Sequence, residues 1–138
     1  MKTIKQMALL IGAGVILVSL SAGTLSAQTK PKGKEWKVPE ADSKKKSTAK
    51  GDDAVKAGKD IWTQQCKSCH GVKGKGDGAK ADKIEISIID FTTKEFQDMT
   101  DGDLYYKTTE GRKPMPAFKE KLSDTERWQV VAFMRTLK

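Results

Sequence analysis

From residue 51 onward the apolar positions recur at intervals of three and four, the spacing of helices that bury one face. Val55, Gly58, Ile61, Trp62 and Gln65 fall on one stripe. Gly58 is a gap in it, and a gap admits a close neighbour. Asp52 and Asp53 suit the N-terminus of this helix, which runs directly into Cys66. A short helix is predicted over "TTKEFQDM", residues 92 to 99. Another starts near Thr100, where Thr100 and Asp103 have capping-box spacing. Leu104, Tyr105 and Thr108 share its face, and Gly111 suits the position just past its end. The last helix is the best marked. Ser123 and Glu126 form a second capping box, and Val130, Phe133, Met134 and Leu137 follow at i, i+3, i+4 and i+7. A helical pattern that reaches the final residue predicts a terminus docked on the core. Only "IEISIID", residues 84 to 90, approaches alternation. With no strand partner in view, it is expected to be an extended loop. The segment 51–138 therefore reads as one all-α domain of three to five helices.

Composition adds a problem. Apolar residues are 37% of the 138 and charged residues 32%. That is lean for a small domain, so a bound group is expected to complete the core. Part of the apolar count also lies elsewhere. Lys2 and Lys5 precede an apolar run over residues 7–20, and small residues follow in "SAGTLSAQ". This is the layout of a secretory signal peptide over residues 1–27. Cleavage after Gly23 or after Ala27 fits it. The alternative is a retained anchor in the inner membrane, since residues 6–29 carry no charge. Either reading exports the remainder, in a bacterium to the periplasm.

The net charge of +8 suggests nucleic acid until it is divided. Residues 28–50 hold eight lysines against three carboxylates. Residues 51–138 hold sixteen basic residues against fifteen acidic ones. The basicity thus sits in a linker, which is too polar to offset its own chain entropy and is expected to be a disordered tether. Trp36 within it is expected to be incidental. No nucleic-acid partner is expected. Attraction of the linker to anionic lipid headgroups or to an acidic partner is the electrostatic alternative, and salt would weaken it.

The chemistry is concentrated in "CKSCHG", residues 66–71, which holds both cysteines and the only histidine. Structural zinc normally needs four protein ligands, and these residues supply three. Thiol-redox Cys-x-x-Cys pairs open a helix in a βαβ setting, which is missing. A plain disulfide leaves His70 without a role. Cys-x-x-Cys-His is the attachment signature of c-type haem, and that reading uses all three residues. Two thiols three positions apart can add to the two vinyl groups of one haem, and the next imidazole meets the iron. The haem would also supply the missing core.

The second axial ligand then decides between a carrier and a ligand-binding protein. No second histidine exists, so the soft candidate is a methionine. Met1 and Met7 lie in the targeting segment, Met134 on the last helical stripe, and Met99 in a polar stretch. Met115, in "GRKPMPAF", is flanked by prolines that stiffen its loop. The bland alternative for Met115 is a gap-filling side chain.

Residues 54–138 resemble the class I monohaem cytochromes c of the small bacterial kind. The likeness is carried by "AGKDIWTQQCKSCHGVKGKGDG", "DFTTKEFQD", "TDGDLYYKTTEGRKPMPAF" and "LSDTERWQVVAFMRTL". It implies a cytochrome c fold whose first and last helices cross closely, Gly58 and Trp62 against Val130 and Phe133. It implies Cys66 and Cys69 as thioether anchors, His70 as the proximal ligand and Met115 as the distal one. One departure stands out. Family members often carry a proline after the "GDG" loop whose carbonyl orients the proximal imidazole. Here Ala79 follows Gly78, and residues 79–89 contain no proline.

The implied activity is single-electron transfer between redox partner proteins, with no substrate transformed, so not an enzyme. A soft thioether ligand favours ferrous iron and a raised potential. Lys67, Lys73, Lys75, Lys113 and Lys119 lie near the motifs in sequence and are candidates for steering acidic partners. Tyr105 and Tyr106 are expected in the core or on the surface, with contact to a haem propionate as the sharper alternative. A gas-binding or catalytic haem protein is one rival, disfavoured because such bundle-type proteins carry the motif near the C-terminus. A tethered subunit of a respiratory or reductase complex is another.

Overall fold

The computed structural model describes residues 30–138. The expected signal peptide, its cleavage site and the alternative anchor lie outside the described residues. Among the described residues no helix is long and apolar enough to cross a membrane.

Residues 51–138 are helical, with no strand among the described residues. The first helix there, α2 (Gly51–Ile61), follows a single-turn α1 (Glu40–Ser43). A π-helical turn over Trp62–Cys66 then leads to the short α3 (Lys67–His70). After a long loop come α4 (Lys94–Gln97), α5 (Asp101–Glu110) and α6 (Asp124–Met134). Five α-helices in this segment meet the all-α expectation.

Both predicted capping boxes are present. Thr100 Oγ1 accepts from the Asp103 N–H while Asp103 accepts from the Thr100 N–H, at 3.0 and 2.9 Å. Ser123 and Glu126 pair in the same way at 3.3 and 2.7 Å. Each box satisfies amide donors that the helix itself leaves unpaired.

The crossing of α2 and α6 is the central contact. A Cβ at Gly58 would overlap the Gln129 carbonyl and press on Phe133. The two backbones therefore touch, which only glycine permits. Around this point Trp62, Val130 and Val131 are almost wholly buried, with Phe133 and Met134 close behind. The last helix ends at Met134, short of the final residue, yet the terminus is docked. Gln97 Nε2 donates to the carbonyls of Met134 (3.3 Å) and Leu137 (2.8 Å), and Arg135 donates to those of Gln97 (3.0 Å) and Met99 (2.5 Å).

One expectation changes. The first helix does not run into Cys66 as a regular α-helix. The Lys67 N–H reaches back to the Trp62 carbonyl, five residues away, which widens one turn. The segment expected as a flexible tether makes contacts with the helical block within its described residues, 30–50. Its α1 rests on α5, where a Cβ at Gly102 would overlap the Asp42 carbonyl. Thr100 Oγ1 also donates to the Ser43 carbonyl at 2.8 Å. The cause is backbone hydrogen bonding to a glycine-lined face, which hydropathy does not reveal.

Gly58→Ala tests the crossing. Alanine gains up to about 1 kcal/mol of helix propensity over glycine, but the clash is with backbone and cannot be relieved by a rotamer. A net loss of about 1–3 kcal/mol is expected, as for other overpacked cores. Guanidinium denaturation of the haem-loaded protein measures it, and a gain in stability would show that the helices do not touch at Gly58.

Candidate cofactor site

The turn that carries the cysteines is fixed from both sides. Trp62 Nε1 donates to the Gly71 carbonyl at 3.0 Å within the core. The glycine-rich loop after His70 folds back and supplies donors for the carbonyls at the end of α3. Gly76 N–H donates to His70 O (2.9 Å), Gly78 N–H to Cys69 O (3.2 Å) and Lys80 N–H to Ser68 O (2.7 Å). A Cβ at Gly78 would overlap the carbonyls of Lys67 and Ser68. "GKGDG" is therefore the C-terminal cap of the helix that holds the motif.

Cys66, Cys69, His70 and Met115 all line one cavity of about 530 Å³. Its walls are mostly apolar: Trp62 and Phe91 beside His70, Leu104 from α5, Phe118 beyond Met115. Ile84, Ile86, Ser87, Ile88 and Ile89 of the predicted extended loop all line it, so this segment serves as a cavity wall. The sequence reading found the alternation but not its use. The cysteines are both free. Cys66 is buried, and that burial pushes its thiol up to about 12, which removes it from thiol-redox chemistry. Among the described residues no cluster of three or more His, Cys, Asp or Glu is placed to hold a metal ion.

His70 lies between aromatic rings, 4.9 Å from Phe91 and 5.7 Å from Trp62 between centroids. Burial lowers its pKa to about 4. The imidazole is thus neutral at neutral pH, the form that binds a metal. Its Nδ1 is buried with no hydrogen-bond partner. The departure noted at Ala79 therefore has a structural counterpart: no described carbonyl takes over the orienting role.

Met115 is half-buried in a tight turn. Its N–H donates to Arg112 O at 2.8 Å, and Arg112 N–H donates to Met115 O at 2.9 Å. Gly111 opens this turn at φ +60°, where a Cβ would overlap Pro116 and Ala117. Met99 and Met134 also line the cavity, which the sequence reading did not foresee. Lys107 Nζ lies 2.9 Å from Met99 Sδ, and Met134 is buried on α6. Tyr105 and Tyr106 do not line the cavity. Tyr105 stacks on Trp128 at 4.0 Å and accepts from Arg127 Nη2 at 2.9 Å, a core role.

This cavity fits a large flat apolar group with two sulfurs, an imidazole and a thioether at its walls. Residues 53–134, well over half of the chain, match the family described as cytochrome c oxidase, cbb3-type, subunit III. The chain belongs to that family. It is a c-type cytochrome with covalently bound haem c, in a family that carries electrons. The solved structures agree. The reducing HAO-like protein complex of Kuenenia stuttgartiensis contains a chain 36% identical, with TM-score 0.58, over 63% of this chain and 44% of that one. The present chain thus spans less than half the length of that relative. The c-type cytochrome KustC0563 is 30% identical, with TM-score 0.51, over 59% of this chain and 96% of its own. Cytochrome CL from Methylophaga aminisulfidivorans, 22% identical with TM-score 0.51 over 75% and 69%, shares the fold. No curated protein matches the sequence significantly.

Trp62→Phe tests how the cytochrome's motif is pinned. The ring volume is largely kept, but the buried Gly71 carbonyl loses its donor. A loss of about 1–3 kcal/mol is expected in denaturation of the haem-loaded protein. A change below the error of that measurement would mean that the indole hydrogen bond does not hold the turn.

Proposed function

We propose that this chain is an exported single-haem electron carrier whose iron is held by His70 and Met115, with Cys66 and Cys69 as the thioether anchors. The observation that carries this reading is the meeting of these four side chains in one apolar cavity. When bound, the haem supplies one iron centre that takes up and gives back a single electron. The protein's part is to hold it. Two anchors on one helical turn prevent loss of the cofactor, and neutral His70 offers a nitrogen lone pair. Met115 is the methionine best suited to the other side. The Met99 sulfur has an ammonium against it, and Met134 packs within the core, whereas Met115 sits on a turn closed by two backbone hydrogen bonds. If His70 and Met115 both hold the iron, they would leave it no position for a substrate, which fits a carrier without an enzymatic reaction.

Partners would be redox proteins with acidic faces. Lys67, Lys73, Lys75 and Lys113 are exposed, while Lys119 is already paired with Glu110 at 3.0 Å. Val72, 70% exposed, is the large apolar side chain left open among the described residues, and it stands in sequence between Gly71 and Lys73. An apolar point with Lys67 and Lys73 beside it suits brief docking. A second reading, a subunit held in a larger assembly, draws on the Kuenenia neighbour, which is part of a complex. Both readings use the same haem chemistry.

The ferric absorption spectrum of protein matured with the haem-attachment machinery tests the ligands. A methionine-to-iron charge-transfer band is expected in wild type and in Met99→Leu, and is expected to vanish in Met115→Leu. Persistence of the band in Met115→Leu would move the ligand elsewhere. A high-spin wild type that binds carbon monoxide rapidly when reduced would favour a gas-binding protein instead.

A further inference from the structure

The family match begins at residue 53, yet one wall of the cavity comes from outside it. Lys32, Gly33, Lys34, Glu35 and Trp36 all line the cavity. The segment is held at several points. Pro31 O accepts from the Ser87 N–H at 2.9 Å, and Lys32 bridges Ser87 in parallel register. Arg112 donates from Nη1 to Glu35 O at 3.0 Å and from Nη2 to Lys34 O at 2.8 Å. Its guanidinium carbon also lies 4.7 Å from the centre of the Trp36 ring. Gly33 comes close to Ile86, where a Cβ would stand 3.2 Å from Cδ1. The Lys32–Glu95 pair at 3.0 Å is largely exposed and adds little.

A lysine-rich segment has no apolar reason of its own to become ordered. Fixing each residue costs about 1–2 kcal/mol, so the contacts that offset this cost indicate what the order serves. They converge on two loops. Ser87 belongs to the extended loop whose isoleucines line the cavity. Arg112 pairs with Met115 through both backbone hydrogen bonds of its turn. Laying down residues 31–36 therefore ties together two loops that flank the cavity.

We propose that residues 31–36 form a strap that is part of the haem site itself, clamped across one side of the cavity by Arg112 and Ser87, with Trp36 as its apolar face. The strap shields the bound haem on that side from water and from small reagents. Electron exchange then runs through the rest of the haem surface. This inference rests on the cavity being the haem site, and it is independent of which methionine binds the iron.

The test uses the haem-loaded full chain, as wild type, Arg112→Gln and Trp36→Ala. One readout is hydrogen exchange of the Ser87 amide by NMR. The other is the rate of haem reduction by a small uncharged reductant, chosen so that the lost charge of Arg112 does not bias the encounter. The Ser87 amide is expected to be protected in wild type and to exchange about tenfold faster in Arg112→Gln, the scale of losing one or two net hydrogen bonds. Reduction is expected to speed up several-fold in both variants, with the covalent haem and its charge-transfer band unchanged. A Ser87 amide that exchanges as fast in wild type as in Arg112→Gln would mean that the haem displaces the strap. Unchanged reduction rates in both variants would equally overturn the shielding. Absence of covalent haem from wild type would remove the site on which the strap is placed, and the strap with it.

Discussion

The structure depends on one close approach, that of the α2 and α6 backbones at Gly58. Because no side chain stands between the helices there, Trp62 one turn later is driven against Phe133, with ring centroids 5.7 Å apart. The same ring reaches Gly71 with its Nε1. A contact that looks purely structural thus sets where the Cys-x-x-Cys-His turn begins and ends. The π-helical turn between Trp62 and Cys66 lies between these two anchors. The helix must satisfy the crossing at one end and the motif at the other, and one widened turn takes up the mismatch.

The second constraint is a core with its centre left out. The buried side chains form one cluster, and Met99, Met115 and Leu137 pack against it only in part. The aromatic stack of Phe91 on Phe96, 3.9 Å between centroids, and the neighbouring His70 ring face a cavity of about 530 Å³. Without a bound group, an apolar space of that size would forfeit the dispersion contacts of the atoms at its wall. The lean composition and the cavity are therefore two views of one fact. The covalently bound haem of the family supplies the apolar mass that the sequence lacks.

Much of this was legible in the residues, and the limits have physical causes. Capping boxes at Thr100 and Ser123 are local, so spacing alone found them. The crossing glycine was legible as a gap in a stripe. Cys66, Cys69, His70 and Met115 were selected by chemistry, and the fold brings all four to one cavity. The isoleucines of residues 84–90 were seen to alternate, but their target is a cavity and not a sheet, so the pattern had no strand to pair with. Met99 and Met134 gave no sign of facing the same space, because tertiary direction is not written in hydropathy. The contacts made by residues 30–50 were not legible for a related reason. Its contacts are mostly backbone carbonyls meeting Arg112, Ser87 and Thr100, and composition is blind to backbone hydrogen bonds.

The burial of Cys66 bears on the order in which the structure is made. In the closed fold its thiol is buried, with a pKa pushed up to about 12, so almost none of it is thiolate at neutral pH. The buried wall of Trp62 and α6 stands behind it. On the proposed assignment, a thioether at Cys66 has to form while the motif is still open to solvent. In the closed fold that thiol faces the cavity but is largely shielded from solvent. Attachment before closure resolves the conflict, and the attached haem then supplies the apolar surface over which Trp62, Phe91 and Leu104 close. The helix crossing, the buried cysteine and the incomplete core thus fit a single sequence of events, in which the cofactor is bound first and the fold is completed around it.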